Sequence, residues 1–296
     1  MGELLSGQLL FAALLTGALY GLIALGLNLV YGTLRLLNIA HGDLMMIGAY
    51  TAYWCMTLGG IPPLLSMLIA AALCAAIGWL IYVALFRRLI SQREVARRLE
   101  SNSLLVFFGI SVILQNVAAL LFTASPRAYS YLGEVHRFAG VSATGNKLLS
   151  LVVAAGLCGA VLLFLRLNLF GLAVRALIDR ADAAVVVGVD VERVRQVSLC
   201  AGFALAGIAG VLVSQTEQIT PFMGFPFTIS AFVVIILGGL GNLFAGVAAA
   251  FLLGAVEIYG VALTSANLRS VLVYGVFVAA LLVRPQGLLG KTRVAR

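Results

Sequence analysis

Apolar runs close to twenty residues long recur along this chain, and they constrain its fold more than any other feature. Residues 63–86 and 104–122 contain no charged side chain. A helix needs about 20 mainly apolar residues to cross the hydrocarbon core of a bilayer. At that depth every backbone polar group has to be paired within the structure, which favours helices. Candidate spans are residues 8–30, 44–58, 63–86, 104–122, 148–165, 197–214, 227–240, 243–262 and 268–284. The second and seventh are short for a full crossing and read as tilted, broken or re-entrant. The 296 residues are 62% hydrophobic and 10% charged, whereas a soluble domain carries about 25% charge. No single soluble core of this length hides so much apolar surface. The expected fold class is an all-α polytopic membrane protein: a bundle of about eight or nine transmembrane helices, some broken or short, in one domain over residues 1–296. The opening "MGELLSGQLL" has no basic segment ahead of its apolar run, so it reads as the first span rather than a cleaved signal.

The net charge of +8 marks topology here rather than nucleic-acid binding, because cations collect on the cytoplasmic side. Five Arg lie in 87–98, five between Arg166 and Arg195, and four cations follow the last span. With Arg35, one face takes 15 of the 19 cations; Arg127, Arg137, Lys147 and Arg269 fall on the other. Nine crossings with the N-terminus outside and the C-terminus cytoplasmic reproduce that split. Cys55, Cys74, Cys158 and Cys200 all lie in apolar stretches without paired spacing and read as small buried hydrophobes.

The tail "GLLGKT" imitates the end of a phosphate-binding loop. Such a loop needs a Gly seven residues before its Ser/Thr, a strand before it and a helix after it. Here the required position, 285, is Pro, a span precedes, and four residues follow Thr292. No nucleotide site is expected from this tail.

In "YGTLRLLNIAHGDLMMIGAY" (31–50), apolar sequence is interrupted by Arg35, Asn38, His41, Gly42 and Asp43. One reading is a solvated turn with Asp43 as N-cap of the next helix. The other is a broken helix whose freed backbone lines a cavity. Two potential ligands, His41 and Asp43, with no third are poor grounds for a metal. Residues 177–195, "LIDRADAAVVVGVDVERVR", place Ile178, Ala181 and Val185 at three–four spacing. This predicts a short helix of about 177–188 with one apolar face, suited either to a membrane surface or to a groove on another protein. The basic segment 87–103 reads as a helix at an anionic membrane surface.

Residues 123–147 form an outer loop, and "SQTEQITPFMGFPF" (214–227), which contains Glu217, reads as an aromatic interfacial loop or a pore mouth. Gly17 and Gly21, then Gly202, Ala206 and Gly210, then Gly246, Ala250 and Gly254 recur every four residues, a pattern that lets helix backbones approach closely. Glu257 lies within a span. A central charge there costs about 2.5–3.5 kcal/mol, against roughly 3–5 kcal/mol returned by the apolar residues of that span. Glu257 should therefore face the bundle or an aqueous path, as a structural hydrogen-bonding group or an ion site; a basic partner in another span is not evident. Two His in all, no paired carboxylates at membrane depth and no serine elbow exclude an evident catalytic constellation, so an enzyme is not expected.

Taken together, "GLNLVYGTLRLLNIAHGDLMMIGAY", "DRADAAVVVGVDVERVRQVSLCAGFALAGIAGVL", "ILGGLGNLFAGVAAAFLLGAVE" and the terminal "RPQGLLGK" resemble the permease family of bacterial branched-chain amino acid ABC importers, in its shorter subunit type. The resemblance covers essentially the whole chain. It implies a multi-pass subunit of the bacterial inner membrane working with a second homologous permease, two cytoplasmic ATPases and a periplasmic substrate-binding protein. ATP and Mg would then be bound by the partner ATPases, with no cofactor on this chain. It further implies a cytoplasmic coupling segment at about 166–196, with Asp179, Arg180, Asp182, Ala183, Ala184 and Gly188 at its centre. Asp182 stands where such importers more often show Glu. Candidate path residues are Asn38, His41, Gly42, Asp43, Glu217 and Glu257. Urea, short amides or aromatic acids remain open as alternative substrates, and an ion-coupled transporter or channel as an alternative class.

Overall fold

The computed structural model describes residues 7–87, 93–138, 140–283 and 287. The helices are α1 (Gly7–Leu34), α2 (His41–Gly59), α3 (Pro63–Ile81, continued by a π turn over Tyr82–Phe86), α4 (Arg93–Phe122), α5 (Gly145–Leu167), α6 (Leu169–Asp179), α7 (Ala181–Val186), α8 (Val191–Val213), α9 (Gly224–Gly238), α10 (Leu243–Leu263) and α11 (Arg269–Val283). A short antiparallel hairpin, β1 (Val135–Phe138) and β2 (Val141–Thr144), pairs Val135 with Thr144 in the segment expected as an outer loop.

Among the described residues, seven helical segments are long and apolar enough to cross a membrane, and α9 is a shorter apolar helix. With α2, each of the nine expected spans coincides with a helix. The boundaries shift where polar residues are hidden by protein: α2 starts at His41 rather than 44, and α9 runs from Gly224 to Gly238 rather than over 227–240. Of the basic segment 87–103, residues 93–103 form the start of α4, continuous with the span that follows, while residues 88–92 and, apart from Gly287, the tail imitating a phosphate loop lie outside the described residues.

Burial separates central from peripheral helices. The apolar windows of α8 and α1 are 67% and 56% buried, against 17% for α4 and 6% for α11. α1 packs most heavily on α10 and α8, while α8 also holds α2 and α3. The small residues expected to bring backbones together do so. A Cβ built on Gly254 of α10 would lie 2.6 Å from the Gly17 nitrogen and 2.8 Å from its Cα.

The bundle has two distinct ends. At one end Gln8 of α1 exchanges hydrogen bonds with the backbone of Ser142 on β2, and the Arg127 backbone pairs with Ile219 beyond α8. At the other end the C-terminus of α1 meets α6 and the start of α8, through Arg35 Nη2 to the Ile178 carbonyl at 2.9 Å and Arg195 Nε to the Thr33 carbonyl at 3.4 Å. We refer to these as the hairpin end and the elbow end. Gly287, beyond α11, packs on Gly239, which brings the chain after the last helix back to the elbow end.

Candidate functional site

Residues 35–40 between α1 and α2 are not helical. Arg35 adopts φ 59°, the left-handed conformation that ends a helix and is rare for a long side chain. Leu37 N donates to Ser103 Oγ at 3.1 Å. Asn38 and His41 are 0% exposed and Asp43 is 2% exposed, so this segment is not a solvated turn. Nor is Asp43 the N-cap: Ala40 holds that position and Asp43 lies in the first turn. A carboxylate there still complements the positive end of the helix dipole.

His41 and Asp43 each take one specific partner, and Asn38 takes none. His41 Nε2 lies 3.0 Å from the Ile23 carbonyl, which can only accept, so Nε2 carries the proton and Nδ1 is left without a partner. Gln115 Nε2 donates to Asp43 Oδ1 at 2.9 Å and to Ser111 Oγ at 3.1 Å. Neither amide atom of Asn38 has a protein partner, nor does Asp43 Oδ2. Buried polar atoms are normally satisfied, and unsatisfied ones mark sites of strain or function.

The starts of two short helices abut here. Gly42 and Gly224, in the first turns of α2 and α9, touch backbone to backbone, so neither position admits a Cβ. Gly42 N donates to Thr228 Oγ1 at 2.8 Å. From this junction α2 runs toward the hairpin end, where Arg127 stacks on Tyr53 and Trp54. α9 runs toward the elbow end, where Gly238 packs on Gly246. At 1.5 Å per residue α9 is about 22 Å long, short of a bilayer core of about 30 Å.

Next to the first turn of α9 lies a cavity of about 570 Å³, bounded by α1, α9, α10, α11 and the segment after α8. Glu257 sits in its wall, 1% exposed. Tyr20 donates to its Oε2 at 2.8 Å and Arg269 Nε to its Oε1 at 2.5 Å. A basic partner therefore exists after all: the 3₁₀ turn Ala266–Leu268 brings Arg269, expected as an outer-face cation, to the start of α11 and back over α10. Glu217 and Lys147 line the same cavity, which joins the two acids that the sequence placed separately. Residues 214–216 and 221–223 form turns, and between them Ile219 is fully buried and bridged to Arg127.

At the elbow end the segment expected as one helix over 177–188 is two. Arg180, at φ −148° and ψ 104°, breaks the chain between α6 and α7. Asn168 caps α6 through Phe170 N, and Asp190 caps α8 through Arg193 N. Ile178 therefore points away from the face of Val185. A Cβ on Gly32 would lie 2.9 Å from Ile178 Cδ1, and one on Gly241 would lie 3.2 Å from its Cγ2. Ile178 is thus wedged between α1 and the α9–α10 turn. Asp179, Arg180, Asp182, Ala183 and Gly188 are exposed and Ala184 is buried; Gly188 takes φ 83° to close α7. Val185, Val186 and Val187 form an apolar tip, 60%, 86% and 75% exposed.

One determinant of the elbow is not evident from sequence spacing. Asn28, 1% exposed in the C-terminal part of α1, accepts from Gly241 N at 2.8 Å and donates to the Asn242 carbonyl at 3.0 Å. The signal available was a single carboxamide inside the apolar "GLNLVYG".

The family described as "Branched-chain amino acid transport system / permease component" matches residues 9–281. The chain is 30% identical, over 98% of its length and 97% of the relative's, to the high-affinity branched-chain amino acid transport system permease protein LivH of Escherichia coli K12. It is also 30% identical, with the same coverage, to the corresponding permease protein BraD of Pseudomonas aeruginosa. Identity to LivM of E. coli K12 is 28%, over 93% of this chain and 68% of LivM. No solved structure matches.

Proposed function

We propose, from the premise that this chain belongs to the branched-chain amino acid transport permease family, that it is the membrane subunit of an ATP-driven importer for branched-chain or related hydrophobic amino acids. It works with a second, homologous permease subunit, two cytoplasmic ATPases that bind ATP and Mg, and a substrate-binding protein outside the inner membrane. The chain crosses the membrane nine times with the hairpin end outside and the elbow end cytoplasmic. The excess of Lys and Arg at the elbow end supports that orientation.

The observation that carries this reading is the elbow itself. An exposed apolar tip on α7 with acidic and basic neighbours is suited to a groove on a partner. Its root, Ile178, is seated against the end of α1 that leads into the 35–40 break. Asp179, Arg180, Asp182, Ala183, Ala184 and Gly188 form the docking element. Movement of α6–α7 passes through Ile178 to α1 and the α9–α10 turn, and so to both short helices that meet at Gly42 and Gly224. The substrate path runs from the cavity of Glu217 and Glu257 to the polar group of Asn38, His41, Gly42 and Asp43. The first turn of α9 supports this continuity, since Phe227 lines the cavity while Gly224 and Thr228 touch Gly42.

The test is uptake by proteoliposomes containing both permeases and the ATPases, with binding protein outside and ATP inside. Gly188→Lys and Val186→Asp should abolish ATP-dependent uptake of leucine while membrane insertion stays normal. Uptake unchanged in both variants, or wild-type uptake that needs no ATPase, would overturn the proposal.

A further inference from the structure

The cavity at the hairpin end holds an arrangement with a chemical specificity of its own. Glu257 is fully enclosed, so nothing entering the cavity reaches its carboxylate directly. Its two oxygens are taken by Tyr20 and by Nε of Arg269. Arg269, by contrast, keeps 55% of its side chain exposed and lines the cavity. A guanidinium is a rigid planar fork, and fixing it by Nε aims the edge formed by its two terminal nitrogens. That edge matches a carboxylate in bidentate geometry. Glu257 and Tyr20 are therefore positioning residues that hold Arg269 in one orientation. Glu217, exposed on the same cavity wall, has no side-chain partner among the described residues. Leu15, Leu19, Met223 and Phe227 supply apolar wall. A cavity of about 570 Å³ falls within the range that encloses small ligands, about 300–1,000 Å³.

We infer that this cavity is a recognition site for the free α-carboxylate of an aliphatic amino acid, which Arg269 binds. Glu217 faces the ammonium, and the aliphatic side chain lies on the Leu15–Phe227 wall. The inference rests on the transport reading above and specifies where substrate is first held by this chain. It requires that the carboxylate, and not the ammonium, be the indispensable group.

Ser270, exposed beside Arg269 on the cavity wall, supplies a reporter. In the detergent-solubilised complex of the full chain with its partners, Ser270→Cys is modified by a charged maleimide, with the unsubstituted chain as background for the native cysteines. L-leucine and 4-methylpentanoate, which carry the carboxylate, should slow modification, by about tenfold at a concentration ten times the dissociation constant. Leucinamide and 3-methylbutylamine should not. Adding Arg269→Gln to the reporter should remove protection, and Glu257→Gln should weaken it. Leucinamide protecting as well as leucine, or protection surviving Arg269→Gln, would overturn the inference. So would absence of any protection in a complex that still takes up leucine with ATP after reconstitution. Absence of ATP-dependent uptake by the unsubstituted complex would count instead against the transport reading.

Discussion

Gly254→Ala tests whether backbone contact between α1 and α10 sets the geometry of the cavity. The added methyl carbon would stand 2.6 Å from the Gly17 nitrogen, 2.8 Å from its Cα and 3.0 Å from the Ala13 carbonyl. Ordinary contact is about 3.5–4.0 Å, so relief requires the helices to part by roughly 1 Å. All three obstructing atoms are backbone and cannot rotate away. Glu257 is one turn further along the same face, and Tyr20 donates to it at 2.8 Å across this interface. A separation of roughly 1 Å would stretch that bond beyond useful length. Overpacking of this kind costs about 1–3 kcal/mol, and the lost bond to an ionised carboxylate adds about 1.5–3 kcal/mol. Gly156→Ala is the matched control, since a Cβ there meets nothing within 4 Å. Thermal unfolding of the purified chain in detergent should show a marked drop in midpoint for Gly254→Ala and none for Gly156→Ala. The Ser270→Cys reporter should also lose leucine protection in the Gly254→Ala background. Equal midpoints for the two alanine variants would refute the reasoning.

Other outcomes follow from the same contacts. Ile178→Ala empties the wedge between Gly32 and Gly241; ATP hydrolysis by the assembled complex should continue while ATP-driven uptake falls at least tenfold, measured side by side. Asn28→Leu strands Gly241 N and the Asn242 carbonyl, at about 1–3 kcal/mol for each group left unpaired. Asn28→Asp keeps the acceptor alone, so its unfolding midpoint should lie between those of Asn28→Leu and the unsubstituted chain. Asp43→Asn removes a charge from the first turn of α2 and should lower stability by up to about 2 kcal/mol, read as a lower unfolding midpoint. Val186→Cys, on the exposed tip, should react with an impermeant thiol reagent in inverted membrane vesicles and not in right-side-out vesicles.

The long apolar helices were legible because hydrophobic length is a property of each segment alone. The elbow was only half legible. Ile178, Ala181 and Val185 keep helical spacing across Arg180, and no Pro or Gly marks the extended backbone there. The sequence therefore read as one helix where the extended backbone at Arg180 makes two. Glu257 looked unpartnered because Arg269 reaches it through a turn at the head of α11, a relation that spacing does not encode. The early start of α2 was missed because His41 and Asp43 weigh against a span by hydropathy. Their polar groups are enclosed by α1, α4 and α9 rather than by lipid, and a lipid-based scale has no means of anticipating that.

Asn28, on α1, bonds to Gly241 and Asn242 of the turn that faces Ile178, so the two walls holding that side chain belong to one block. A push on Ile178 cannot be dissipated by spreading those walls apart. It has to shift α1 and the α9–α10 turn together, and the ends of α2 and α9 that meet deeper in the bundle are carried in the same stroke.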